Sequence, residues 1–185
     1  TVQYSTVQSV STVSSSGTSG DELRAPVQVI KKEIDPKGNL EFCELDLLND
    51  SGWDKAMKGC DYVLHVASPF INIEPKDENE YIKPAVEGTM RALKSAKKAG
   101  IKRVVLTSSM VSMLDNANKS IDIDFNSWTN VKAKNVSAYA KSKTLAEKSA
   151  WDFIKSQNQD EAMELTVINP GPVFGPTLSG NLEGA

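Results

Sequence analysis

The sequence predicts an α/β fold, a doubly wound parallel sheet with helices packed on it. Three observations carry that prediction. From Asp21 onward, short apolar strand candidates alternate with helical segments, the order expected of βαβ units with right-handed crossovers. Runs such as "RVVL" and "LTVI" lack strict in–out alternation, as strands covered by helices on both faces do. Three strand candidates run into "HVASP", "TSS" and "NPG". In open α/β sheets ligands bind beyond the carboxyl ends of the strands, so these endings are where a site is expected.

The elements follow in order. Residues 1–20, "TVQYSTVQSVSTVSSSGTSG", are dominated by Ser and Thr, with too few large apolar groups to form a core. "DELRAPVQVIKKEI" reads as a helix with Pro26 near its start, and "LEFCEL" as a short strand. "NDSGWDKAMKGC" predicts a brief helix, with Asp50 and Ser51 as candidate N-caps and Gly59 near its end. "DYVLHVA" is a strand. "ENEYIKPAVEGTMRALKSAKKAG" is a long helix with Pro84 in its first turns and Gly100 as its stop. "KRVVLTSS" is the next strand, followed by a polar loop from about Asn116 to Asn135. A helix over "SAYAKSKTLAEKSAW" and the strand "MELTVI" come last, before Pro170, Gly171, Pro172, Gly175 and Pro176 end regular structure.

The chain has 185 residues, 39% hydrophobic and 24% charged, and a formal net charge of −3. That balance gives no reason to expect nucleic acid or a membrane surface as a partner. Lysines are spread through helical segments and read as solvated faces. No apolar run approaches the ~20 residues of a membrane helix, and cytoplasm is the expected compartment. Cys43 and Cys60 form no CxxC motif and are expected as buried free thiols. No metal site is expected. His65, the only histidine, lies inside a strand and is expected to be a packed core residue.

The helix over Ser137–Trp151 places Tyr139 and Lys143 four residues apart, hence on one face. Free tyrosine, with a pKa near ~10, is a poor acid–base catalyst at neutral pH. A nearby ammonium favours the phenolate and brings it toward the useful range. A Tyr-x-x-x-Lys pair on a lysine-rich helix also arises as an ordinary surface contact. The helical spacing assigns the buried stripe to Ala138, Ser142, Leu145, Ala146, Ala150, Phe153 and Ile154, with Tyr139 and Lys143 at its edge. "TSS" offers hydroxyls at Thr107, Ser108 and Ser109, with Ser112 further on.

The ordered motifs "GCDYVLHVASPF", "KRVVLTSS", "YAKSKTLAEKSAW" and "LTVINPGPVFGP" resemble the extended short-chain dehydrogenase/reductase superfamily, the NAD-dependent epimerase/dehydratase group. Within it they resemble the dihydroflavonol 4-reductase-like carbonyl and aldehyde reductases, over roughly Leu40 to Leu178. "HVASP" and "WTNV" favour this reductase branch. The resemblance implies a Rossmann-like fold and hydride transfer from NADP(H), or NAD, to a small-molecule ketone or aldehyde. It implies Tyr139 as proton donor, Lys143 on the nicotinamide ribose and beside the phenol, and Ser109 on the substrate oxygen. Asp46 and Leu47 would contact adenine. Val66, Ala67 and Ser68 would line the cofactor, and Thr107 and Pro170 would flank the nicotinamide. For Asp46, a polar cap at a strand end is the alternative. A nucleotide-sugar epimerase or dehydratase using bound NAD, and a non-catalytic dinucleotide-binding protein, are the rival readings; oligomeric state is not legible.

Two departures qualify the resemblance. The family's Gly-x-x-Gly-x-x-Gly turn, which lets backbone N–H groups approach a pyrophosphate, is missing; "SSSGTSGDEL" has neither its spacing nor a preceding apolar strand. "TVSSSGTSGDELR" instead resembles the family's second strand and following helix, with the usual 2′-phosphate arginine replaced near Ser14. The expectation is therefore a partial sequence, incomplete at the N-terminus and lacking most of the C-terminal substrate domain. Residues 1–20 would be an atypical segment, 21–178 a partial dinucleotide-binding domain, and 179–185 the start of a substrate-binding region. These residues alone are expected to bind cofactor weakly or not at all.

Overall fold

A computed structural model describes Cys43 and residues 45–68, 75–114, 122–158 and 162–175. The expected helix over 21–34 and most of the strand "LEFCEL" lie outside them. Within them the chain forms α1 (Trp53–Met57), β1 (Tyr62–His65), α2 (Asn79–Lys98), β2 (Arg103–Thr107), a 3₁₀ turn (Met110–Ser112), α3 (Ala138–Lys155) and β3 (Glu164–Ile168). The three strands pair in parallel in the order β1-β2-β3. Val63 lies beside Val104 and Val104 beside Leu165, while Thr107 closes the ladder against Ile168. Parallel strands joined through helices are the predicted βαβ arrangement.

The strands alternate in burial. Val63, His65, Val104 and Leu106 are buried beneath the helices. Among the described residues the opposite face keeps Tyr62, Leu64 and Ile168 exposed, so cover on both faces is seen here for one face only. The core gathers Leu45, Leu47, Trp53, Met57, Leu93, Ile101 and Met163 around these strands. α2 and α3 pack against each other, and both bury small residues, Ala85, Gly88, Ala92 and Ala96 on one and Ala138, Ser142, Ala146 and Ala150 on the other. Gly88 serves a different contact, the close approach of α2 to the segment before α1. A Cβ there would stand 2.6 Å from Leu47 Cδ2.

Local signals explain most boundaries. Gly59 and Gly100 adopt φ of 80° and 74° just past α1 and α2, a conformation that costs other residues a Cβ clash. Pro84 sits within α2, near enough to its start that little of the amide ladder is lost. Ser137 caps α3, its hydroxyl accepting from Ala140 N–H at 3.2 Å. α1 departs from expectation. Its N-cap is Gly52, at φ 88° and without a side-chain cap. Asp50 instead pairs with Arg91 of α2, and Ser51 N–H donates to the Asn49 side chain at 2.9 Å. The cysteines also differ: both are free, but Cys43 is exposed and Cys60 half-buried. Among the described residues no helix is long and apolar enough to cross a membrane.

Candidate active site

The ends of β2 and β3 are stitched together. Ser108 N–H donates to Ile168 carbonyl at 2.8 Å, and Met110 N–H to Pro170 carbonyl at 2.9 Å. Between these bonds Ser109 is held extended and buried, its Oγ accepting from Val111 N–H at 3.4 Å to start the 3₁₀ turn. The "WTNV" segment fastens that turn from below. Thr129 donates its hydroxyl toward Val111 carbonyl at 2.6 Å, and its N–H to Ser112 carbonyl at 2.9 Å. The loop carrying Ser109 is thus fixed from two sides.

α3 brings its first turns to the same place. Tyr139 is half-buried, with its ring edge-on to Tyr81 of α2 at 6.3 Å between centroids and 76° between planes. Lys143 lies one turn further on. Its Nζ is 5.9 Å from the Tyr139 ring centroid and donates to Thr107 carbonyl at 3.4 Å. Lys143 was expected at the edge of the buried stripe; it is 7% exposed, inside the stripe. Burial drives its ammonium down to about 8, while the Glu147 carboxylate pulls the other way. His65 is buried as expected, and burial and the Lys143 charge push it down to about 4. It is therefore neutral at physiological pH.

Beside Lys143 lies a polar cluster that the sequence did not disclose. Glu147 Oε2 accepts from Ser112 Oγ at 2.7 Å and from Asn169 Nδ2 at 2.8 Å. Its Oε1 accepts from Trp151 Nε1 at 3.4 Å. Asn169 Nδ2 also reaches Ser112 Oγ at 2.9 Å and Ser109 carbonyl at 3.2 Å. Glu147 and Ser112 are 6% and 0% exposed, so these bonds replace water. Ser112 after "TSS" and Asn169 in the "NPG" ending are visible in the sequence, but nothing there joins them to Glu147.

The remaining expected residues divide into two groups. Ala67, Ser68, Thr107 and Lys143 line one cavity at the carboxyl ends of β1 and β2, with Ala85, Thr89, Ser108 and Glu147. Val66 adjoins them and is 62% exposed. Pro170 is joined to Met110 as described. Asp46 and Leu47 are not in this cavity: Asp46 is exposed and accepts Leu48 N–H at 2.8 Å, while the Leu47 side chain is buried against Gly88.

The cavity is small, about 10 Å³, little more than the space one water occupies. Among the described residues the Lys143 ammonium makes one long hydrogen bond, so donors remain for a ligand. The small side chains of Ala67, Ser68 and Ala85 form part of the cavity wall. No Gly-x-x-Gly-x-x-Gly spacing occurs in the sequence, so nothing described supplies the usual pyrophosphate cradle.

Comparison with known proteins adds to this geometry. A family model described as the NAD dependent epimerase/dehydratase family matches residues 5–184. Tetraketide alpha-pyrone reductase 1 of Arabidopsis thaliana is 37% identical over 151 residues, which cover 79% of this chain and 45% of the relative. The NADPH-dependent methylglyoxal reductase GRE2 of Saccharomyces cerevisiae is 37% identical over 140 residues, covering 70% of this chain and 41% of that protein. The crystal structure of Gre2 with NADPH from Candida albicans superposes with a TM-score of 0.71 at 31% identity, over 82% of this chain and 49% of that one. The chain thus spans about half the length of the relatives it matches.

Proposed function

Because this chain belongs to the NAD-dependent epimerase/dehydratase family, we propose that it serves the NADP(H)-dependent reduction of a ketone or aldehyde carbonyl on a small molecule. The observation that carries the reading is the buried Lys143 ammonium, poised between the Tyr139 ring and the end of β2. Burying a cation this way is costly, and an acid–base role for the neighbouring phenol gives the cost a purpose.

When bound, the dinucleotide supplies the hydride. The chain's own residues do the rest. Ser109 holds the substrate oxygen with its hydroxyl. Tyr139 donates its phenolic proton to that oxygen as negative charge develops on it. The Lys143 ammonium stabilises the phenolate left behind, and its remaining donors would hold the ribose hydroxyls of a bound dinucleotide. Val66, Ala67 and Ser68 would line a bound dinucleotide, Thr107 and Pro170 would flank its nicotinamide, and Asp46 and Leu47 would contact its adenine. NADP is favoured over NAD because relatives are named for NADPH dependence or solved with NADPH.

The test is a panel of aldehydes and ketones offered with NADPH to the purified chain, expressed together with any flanking coding sequence. Carbonyl-dependent NADPH consumption is the expected result. A protein that carries tightly held NAD and consumes no external NADPH would instead be an epimerase or dehydratase. A protein that binds NADPH but turns over nothing would be a non-catalytic binder.

A further inference from the structure

We propose that Glu147 is a positioning residue for the reduction: its buried carboxylate locks the loop bearing Ser109, through Ser112 and Asn169, and supplies the negative charge that faces the Lys143 ammonium. The proposal rests on the reductase reading above. It begins from hydrogen-bond arithmetic. Ser112 has one hydroxyl hydrogen and two acceptors in reach, Glu147 Oε2 at 2.7 Å and Ser109 carbonyl at 2.9 Å. The ionised carboxylate is the stronger acceptor, so the hydrogen goes to Glu147. Asn169 has two amide hydrogens. One goes to Glu147 at 2.8 Å, and the other is left for the Ser109 carbonyl at 3.2 Å, shared with Ser112 Oγ at 2.9 Å. Glu147 thereby fixes which partner anchors the Ser109 peptide.

The second half concerns charge. Glu147 follows Lys143 by one helical turn, on the same face. The titratable groups around Lys143 are few. His65 from β1 is coupled to it and neutral at pH 7. Tyr139 lies on its own helix, and Tyr81 from α2 packs on Tyr139. The segment after β2 offers Thr107 carbonyl and serine hydroxyls only. Among the described residues Glu147 is the carboxylate that opposes the burial of the lysine charge. Three donors face its two oxygens, Ser112 Oγ and Asn169 Nδ2 on one and Trp151 Nε1 on the other, so an amide would turn its NH2 group toward a donor. The carboxylate this site requires also sets a negative charge beside the buried cation.

Glu147→Gln keeps one acceptor oxygen and removes the charge, and the Lys143 titration reads the loss of charge apart from any change in hydrogen bonding. In protein labelled with ¹³C at lysine Cε, and assigned with Lys143→Arg, the Lys143 resonance should titrate at lower pH in the variant, by roughly one unit. The alkaline limb of kcat should move by the same amount, with KM changed less than about threefold. Asn169→Ala, which keeps the carboxylate but frees the Ser109 carbonyl, should lower kcat about tenfold without moving the Lys143 titration. An unmoved Lys143 titration in folded Glu147→Gln protein overturns the proposal. If that variant does not fold, Glu147→Asp decides. Lys143 must then titrate within about half a unit of wild type while turnover falls at least tenfold, and wild-type turnover overturns the idea. The titration needs no turnover, so an inactive wild type would count against the reductase reading and leave the charge coupling separately measured.

Discussion

Replacing Lys143 by Met should make the folded chain more stable near neutral pH, and the gain should vanish in alkali. Met keeps the unbranched stem that α3 packs and removes only the ammonium. The magnitude follows from the site. Burial lowers the lysine from 10.5 to about 8, and each tenfold change in proton affinity is worth about 1.4 kcal/mol, which sets a ceiling of roughly 3 kcal/mol. Loss of the 3.4 Å bond to Thr107 carbonyl offsets this by about 1 kcal/mol at most. A net gain of about 2 kcal/mol corresponds to about 4–8 °C in melting temperature for a chain of this size. The sign comes from linkage. Between pH 8 and 10.5 the unfolded lysine holds its proton and the folded one has lost it, so wild-type stability rises with pH across that window. Below pH 8 the full penalty for the buried charge is present. Urea denaturation of both proteins at pH 7 and pH 10 measures the gap, with Tyr139→Phe as the common background so that its phenol does not titrate in either. A variant less stable than wild type at pH 7, or a gap unchanged at pH 10, would refute the claim that Lys143 is held charged at an energetic cost.

Two further stability predictions concern the scaffold. His65 is held near 4 against an ordinary 6.5, so stability present above pH 6.5 should be lost as pH falls through 4, by up to roughly 3 kcal/mol; His65→Gln should flatten that slope in denaturation midpoints taken at pH 7.5 and pH 4. Gly88→Ala would set a methyl 2.6 Å from Leu47 Cδ2 and 2.9 Å from its Cβ, and Leu47 is 2% exposed. Overpacking of ~1–3 kcal/mol should therefore outweigh the ~1 kcal/mol helix-propensity gain, giving a lower melting temperature by calorimetry.

Much of this architecture can be read from local sequence. Gly59 and Gly100 stop their helices, Ser137 starts α3, and the "TSS" and "NPG" endings meet at the carboxyl ends of β2 and β3. Each depends on residues close together in the chain. What escaped the sequence depends on distant partners. Asp50 looks like a helix cap until Arg91, 41 positions later, takes its carboxylate. Glu147, between an alanine and a lysine on a charged helix, looks solvent-facing. Its burial is possible only because Ser112 and Asn169, 35 and 22 positions away, supply donors. Lys143 is misplaced for the same reason: helical spacing locates a side chain on a face but says nothing of the strand end that covers it.

The most direct measurement follows the hydride itself. The protein would be incubated with NADPH deuterated at the transferring carbon and an aldehyde it reduces, and the alcohol weighed by mass spectrometry. Wild type should place one deuterium on the former carbonyl carbon, while Tyr139→Phe should bind NADPH with unchanged affinity and yield no labelled alcohol above background. Labelled product from Tyr139→Phe at the wild-type rate would contradict the assignment of the proton donor.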